Sequence, residues 1–195
     1  MVLGLLVIAE GNLPILKGRN VDLKLIEKDD LAQYTEWMQD WDFRGPFWAP
    51  LRHRTRIEIE KDFDDPKNPG LEFTRYYIQK KDGVRVGVAF YAWGSQLHDW
   101  MEVAYIIDIP QRGKGFATEA VQILVDYLFL TRQLERIQAL IDTENSASQK
   151  VIEKAGFSRE GELRNAYWPR GEWRNALMYS ITREDWNAPH VLGVQ

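Results

Sequence analysis

The sequence predicts one domain of mixed α+β architecture, and three observations carry that reading. Stretches of alternating apolar residues are interleaved with stretches of helical spacing, in the order strand, two helices, three strands, helix, strand, helix, two strands. Asp82-Gly83 lies between two of the strands and marks an antiparallel hairpin. No repeat, low-complexity tract or Pro/Gly/Ser linker divides the 195 residues, so a single core is expected.

Val21 to Ile26 alternates as a strand. Asp29-Asp30 opens a helix whose Leu31, Tyr34, Met38 and Trp41 recur at helical spacing, until Pro46 and Pro50 end it. A second helix runs over Thr55 to Phe63, followed by a loop at Pro66 to Gly70. Phe73 to Gln79 and Val84 to Trp93 are the hairpin strands. Met101 to Ile109 is a strand stopped by Pro110. From Ala117, the residues Ala120, Val121, Leu124, Val125 and Leu128 mark one face of a long helix. Arg136 to Ile141 is a strand, and Asn145 is an N-cap for a helix with Val151, Ile152 and Ala155 inward and Gly156 at its end. Phe157 to Arg164 and Trp173 to Ile181 are the last two strands.

Composition narrows the chemistry. A hydrophobic share of 45% with 28% charged residues predicts a packed core and a soluble protein. The formal charge of −4 argues against nucleic acid as an obligate partner, because phosphate binding depends on concentrated positive charge. There is no cysteine, which excludes disulfides, Cys-ligated zinc, iron–sulfur clusters and a thiol nucleophile. His53, His98 and His190 have no metal-ligand spacing, so no metal is expected, and no Gly-x-Ser-x-Gly elbow supports hydrolysis by a serine triad. Met1 to Ala9 is apolar but lacks a basic flank and falls far short of the roughly 20 residues needed to span a bilayer. It reads as a covered strand, with a membrane anchor as the alternative, and the protein as cytoplasmic.

The chemistry concentrates where strand Met101 to Ile109 runs into Gln111-Arg112-Gly113-Lys114-Gly115-Phe116-Ala117 at the head of a helix. Glycines let the chain turn with no side chain in the way, so successive N–H groups and the helix dipole can point at an anion such as a pyrophosphate. Taken alone, the turn is equally a plain structural one. It matches neither the P-loop nor the dinucleotide Gly-x-Gly-x-x-Gly.

Arg112-x-x-Gly115-x-Ala117 after a strand resembles the acyl-CoA pyrophosphate loop of the GNAT N-acetyltransferase superfamily, whose signature is Arg/Gln-x-x-Gly-x-Gly/Ala. Glu102-Val-Ala-Tyr105, Thr118-Glu119-Ala120, Asn145-Ser-Ala-Ser148 and Glu153-Lys154-Ala-Gly156-Phe157 resemble its RimJ/RimL-type branch, and Gly171-Glu-Trp173 to Tyr179 fits the last hairpin. The resemblance implies one N-acetyltransferase domain over residues 1–195, with its core at about 16–186 and short extensions at both ends. The implied GNAT fold has a mixed, mostly antiparallel central sheet flanked by helices. Its central strands, here Met101 to Ile109 and Arg136 to Ile141, splay apart to admit the thioester arm of acetyl-CoA.

The same resemblance implies pantetheine on the backbone of Ile107, Asp108 and Ile109. It implies pyrophosphate on Arg112, Gly113, Lys114, Gly115, Phe116 and Ala117, with Thr118 close by. Asn145 and Ser148 would meet the pantetheine arm, and Lys150 or Lys154 the adenosine phosphates. From the residues alone, Asn145 is a helix cap and both lysines are solvated surface.

Acetyl transfer requires a neutral amine, a donor to the developing oxyanion and a proton for the departing thiolate. Ser148 matches the branch's thiolate-protonating position, the alternative being a first-turn serine satisfied by backbone. Glu102 is the candidate base, through water, and strand parity alone does not separate it from an exposed edge carboxylate. Ribosomal-protein enzymes of the branch carry a glutamate base about nineteen residues beyond the serine; here that position is Tyr167, and Glu160 and Glu162 do not occupy it. This departure counts against a protein acceptor.

Among many aromatic residues, Trp41, Phe43, Trp48, Tyr167 and Trp168 are the expected acceptor-pocket wall. The acidic stretch Asp62 to Asp65 is either an attractor of a polyamine or a solvated turn. The expected partners are acetyl-CoA and a primary amine, a peptide α-amine or a small molecule, with no metal, nucleic acid or membrane; a homodimer is left open. The rival reading is a catalytically silent acyl-CoA-binding or interaction module of the same fold.

Overall fold

The computed structural model describes residues 15–47, 55–64, 73–94 and 100–193. The predicted strand at Met1 to Ala9, the loop Pro66 to Gly70, Asp65 and Trp48 lie outside the described residues. Among the described residues eight strands form one sheet: β1 (Ile15–Lys17), β2 (Val21–Leu25), β3 (Phe73–Lys80), β4 (Arg85–Trp93), β5 (Trp100–Ile107), β6 (Arg136–Asp142), β7 (Ser158–Tyr167) and β8 (Arg174–Thr182). The helices are α1 (Leu31–Gln39), α2 (Trp41–Arg44), α3 (Arg56–Asp64), α4 (Phe116–Thr131), α5 (Ser146–Lys154) and α6 (Arg183–Trp186). The mixed, mostly antiparallel sheet predicted from the sequence is present, in the order β1-β2-β3-β4-β5-β6-β8-β7.

Among the described residues only the β5–β6 neighbours run parallel, as a crossover through α4 requires. Their pairing covers Trp100↔Arg136, Met101↔Ile137 and Glu102↔Gln138 and then stops, although β5 continues to Ile107 and β6 to Asp142. On their outer sides both strands stay paired, β5 to β4 from Gly87↔Ile107 to Trp93↔Met101 and β6 to β8 from Arg136↔Thr182 to Asp142↔Ala176. The sheet is therefore two half-sheets joined at a short seam that opens toward the C-terminal ends of β5 and β6.

Helix α4 covers one face, with Ala120, Val121, Leu124 and Leu128 packed in one cluster with Met101, Val103, Ile137 and Ala139. Helices α1 and α2 cover the other face of the first half-sheet, where Leu31, Tyr34 and Phe43 meet Tyr77, Val88, Phe90 and Ile106. Two buried carboxylates of α4 tie distant segments to it. Glu119 accepts from the amides of Arg19, Asn20 and Val21 and from the Asn20 side chain, which anchors the β1–β2 turn. Asp126, fully buried, accepts from the Trp186 indole and the amides of His190, Val191 and Leu192, which fixes the chain after α6.

Three local differences from the sequence reading have clear causes. Trp41 is not on α1, because Asp40 is extended there and its carboxylate caps a new helix through the amides of Asp42 and Phe43. Strand β5 ends at Ile107 rather than Ile109, since Pro110 enters a 3-10 turn. The short β1 and α6 are too brief for a periodic pattern; α6 is set by a capping box between Thr182 and Asp185. Among the described residues no helix is long and apolar enough to cross a membrane.

Asp126→Ala removes the acceptor from four buried or part-buried donors and is expected to lower unfolding stability by about 3 kcal/mol. Urea denaturation followed by circular dichroism checks this; a change under about 1 kcal/mol would mean those donors find other partners.

Candidate active site

The register of β4 against β5 decides what the seam exposes. The Asp108 amide donates to the Val86 carbonyl at 2.9 Å, so the hydrogen-bonded pairs with β4 are 86/108, 88/106 and 90/104. The Val103 carbonyl and the N–H and C=O groups of Tyr105 and Ile107 consequently face the open gap, where the Ile107 carbonyl accepts from Arg112. Side chains follow the same parity: Met101, Val103, Tyr105 and Ile107 lie on the α4 side, while Ala104 and Ile106 lie on the α1–α2 side, the side Glu102 shares.

A cavity of about 450 Å³ runs through this gap. It is lined by residues 111–118 of the loop and the start of α4, by residues 103–107 of β5 facing Leu140, Ile141 and Asp142 of β6 and Asn145 and Ser148 of α5, and by residues 44–47. The anion end is built by backbone conformation. Gly113 and Gly115 have φ of 75° and 83°, which residues with a Cβ rarely adopt, and Gly115 is the N-cap of α4. Among the described residues no carbonyl accepts from the amides of Gly113 to Thr118. These N–H groups, with the positive end of a 16-residue helix, suit a diphosphate. Gly113 to Thr118, Lys150 and Lys154 all line the cavity, but Lys114 turns its ammonium to the Pro110 carbonyl and the Gln111 side chain, at 2.9 and 3.0 Å.

The Arg112 guanidinium does not reach toward that anion end. It donates to the Ile107 carbonyl at 2.9 Å and to the Phe43 carbonyl at 3.2 Å, tying the loop to the tip of β5 and to α2. Of the three residues expected along the pantetheine, Ile107 lines the cavity; Asp108 and Ile109 turn away into the 3-10 turn, where their carbonyls accept from the Gln111 and Arg112 amides. The Asn145 side chain caps α5 by accepting from the Ser148 amide at 3.1 Å. Opposite, the Tyr105 hydroxyl donates to the Ser148 carbonyl at 3.4 Å, and burial pushes that phenol up to about 12.

Glu102 occupies the last paired position of the seam, where Gln138 of β6 donates to it at 3.3 Å. Burial raises its pKa above the ordinary glutamate value, and the Gln138 hydrogen bond offsets only part of the effect. It does not line the cavity itself, so a proton taken at the acceptor would reach it through water.

The acceptor end departs from the sequence expectation. Phe43 is 2% exposed and its ring stacks on Trp37 at 4.7 Å, so it belongs to the core. Trp41 and Trp168 are 44% and 43% exposed and outside the cavity wall; Arg170 sits over the Trp41 ring, and Trp173 meets Trp168 edge-on. Tyr167 is also off the wall, its hydroxyl donated to Asp142, where burial and that carboxylate hold the phenol above its usual range. The wall is made instead by residues 44–47 and by Leu140 and Asp142. Burial alone would raise Asp142, but hydrogen bonds from Arg174, Tyr167 and the Glu144 amide hold it below the usual carboxylate range. Arg174 also pairs with Glu144 and Glu172, at 2.6 and 2.8 Å. Leu140 and Asp142 lie near the end of β6, Arg136-Ile-Gln-Ala-Leu-Ile-Asp142, and their place is readable only once β6 is known to border the gap. Among the described residues no group of three or more His, Asp or Glu could hold a metal.

A family model described as an acetyltransferase (GNAT) domain matches residues 20–158. The chain is 27% identical over 171 residues to spermidine N(1)-acetyltransferase of Escherichia coli (strain K12), covering 88% of this chain and 90% of the relative. It is 32% identical over 166 residues to the uncharacterized N-acetyltransferase p20 of Bacillus licheniformis, covering 84% and 92%. Spermidine N-acetyltransferase from Vibrio cholerae, solved with CoA and spermine, superposes with a TM-score of 0.77 at 19% identity over 87% of this chain and 99% of that one. Mycobacterium smegmatis RimJ, solved with CoA-disulfide, gives 0.74 at 24% identity over 87% and 85%. At these identities the structural likeness concerns the fold.

Gly115→Ala forces a Cβ onto a left-handed residue at a cost of about 1 kcal/mol, relieved by turning the amides off the anion. Calorimetric titration with CoA is expected to give a Kd about fivefold to tenfold weaker, with little change in melting temperature. Unchanged affinity would remove this loop from the site.

Proposed function

Because the chain belongs to the GNAT acetyltransferase family, whose members are acetyl-CoA-dependent enzymes, we propose that it transfers acetyl to a primary amine by direct attack in a ternary complex. The observation that carries this reading is the open β5–β6 seam with unpaired amides at the head of α4 beside it. The cosubstrate fits there: its diphosphate on the amides of Gly113 to Thr118, its amide-bearing arm along the gap-facing backbone of Ile107 and Tyr105 in place of a strand, and its thioester carbonyl at a gap-facing N–H near Ile107. No covalent enzyme intermediate is needed, as the chain has no cysteine and no serine elbow.

The amine enters from the end bounded by residues 44–47, Leu140 and Asp142. At pH 7 an α-amine of pKa about 8 costs about 1.4 kcal/mol to deprotonate, and a lysine-like amine of pKa about 10.4 costs about 4.6 kcal/mol. Glu102, raised by burial and one water removed, is a base suited to the smaller demand. The likeness to spermidine acetyltransferases makes spermidine the first small acceptor to test, and RimJ and ribosomal-protein-S5-alanine acetyltransferase among the structural neighbours support the RimJ/RimL-type placing and a peptide α-amine as the second. We place this activity in a single cytoplasmic domain.

Thiol release from acetyl-CoA against spermidine, an alanyl peptide and amino sugars tests the activity; failure to bind CoA would end the proposal. A base works only when deprotonated, so kcat/KM should fall as pH drops through the Glu102 pKa, placing the acid limb above the ordinary glutamate value of about 4.3. Glu102→Gln is expected to remove that limb and lower kcat/KM by about 100-fold; an unaltered profile would assign the proton to water alone.

A further inference from the structure

This inference rests on the acetyltransferase reading and concerns the last proton of the reaction. When the tetrahedral adduct collapses, the C–S bond breaks and its electron pair leaves on sulfur, so a donor must stand beside that sulfur. The sequence points to Ser148. An alcohol, however, is about as weak an acid as water and far weaker than a phenol; a thiol sits near about 8.5 and a free phenol near about 10, and the Tyr105 phenol, pushed up to about 12 by burial, is still a much stronger acid than the alcohol. By Brønsted matching the phenol is far the better donor.

The fold supplies one. Tyr105 stands on the gap edge of β5, two residues before Ile107, with its ring on the α4–α5 side and in the cavity wall between the anion loop and the acceptor end. Its hydroxyl donates to the Ser148 carbonyl at 3.4 Å, a long bond that leaves the proton available for redirection to a better acceptor. We propose that Tyr105 is the proton donor to the departing CoA thiolate, with the first turn of α5 at Ser148 holding its hydroxyl in place.

As the C–S bond breaks, the phenol proton passes to sulfur and gives CoA thiol. The tyrosinate recovers a proton from water, which has taken up the one lost by the amine through Glu102, so the sum is amine plus thioester to amide plus thiol. The charged residues lining the same cavity are Arg44, Arg112, Lys114, Asp142, Lys150 and Lys154, with the Arg112 guanidinium held by the Ile107 and Phe43 carbonyls. Burial keeps the phenol protonated well above neutral pH, as a donor requires.

The absence of cysteine lets thiol release be read without protein background. With spermidine and an alanyl peptide as acceptors, Tyr105→Phe keeps the ring and is expected to lower kcat by about 100-fold, with the KM for acetyl-CoA moving less than about threefold. Calorimetric CoA affinity should be preserved, and Ser148→Ala should lose less than about tenfold in kcat. A ring-fluorinated tyrosine at position 105, a stronger acid, should draw the alkaline limb of kcat to lower pH, a response no packing role produces. The proposal is overturned if Tyr105→Phe keeps kcat within about threefold, if Ser148→Ala falls further, or if fluorination leaves the limb in place. Wild-type protein that neither binds CoA nor releases thiol with any amine would overturn the reading of the whole site rather than of this residue.

Discussion

The rest of the site depends on where the pairing of β5 with β6 stops. Three residue pairs hold the seam, ending at Glu102↔Gln138, and beyond them the Val103 carbonyl, both backbone groups of Tyr105 and the Ile107 amide have no strand to bond, while the Ile107 carbonyl accepts from Arg112. Buried backbone polar groups rarely stay unpaired, so a cleft of this kind calls for an extended, amide-bearing ligand. Both half-sheets remain fully paired on their outer sides and are packed under α4 or α1, so the opening persists without strain in either half.

One arginine joins the two ends of the cleft. Arg112 follows the 3-10 turn that Pro110 starts, and its fork holds the Ile107 and Phe43 carbonyls together. The anion loop is thereby fixed to the strand that bears the gap-facing amides and to the helix that precedes the acceptor wall. A planar guanidinium can bridge two carbonyls in this way, which an ammonium does less well.

The carboxylates divide by how many donors they have. Glu119 and Asp126 are saturated with N–H donors and serve to anchor chain segments, and Asp142 is held ionised by Arg174 and Tyr167. Glu102 has the Gln138 amide and a buried setting that favours its protonated form. A carboxylate raised in this way is the one equipped to accept a proton and give it up. Tyr167 illustrates the same sorting: standing where a glutamate base is expected in the ribosomal-protein branch, it instead donates its hydroxyl to Asp142.

Local signals were enough for much of this protein. The Asp82-Gly83 hairpin, the apolar stripe of α4, the Asn145 cap and the paired glycines at 113 and 115 each depend on neighbours a few residues away, so the order of the longer elements, the fold class and the glycine turn at the head of α4 could be read directly, while the brief β1, α2 and α6 could not. The aromatic residues around the cavity could not, because ring burial is a matter of which helix faces which sheet: Phe43 lies against Trp37 in the core while residues 44–47 next to it line the cavity. Tyr105 and Asp142 likewise look like ordinary strand residues until the register assigns alternate groups to opposite sides. Strand parity has two solutions from sequence, and only the pairing of β5 with β4 and the parting of β6 select between them, since that choice is made by contacts between segments far apart in the chain.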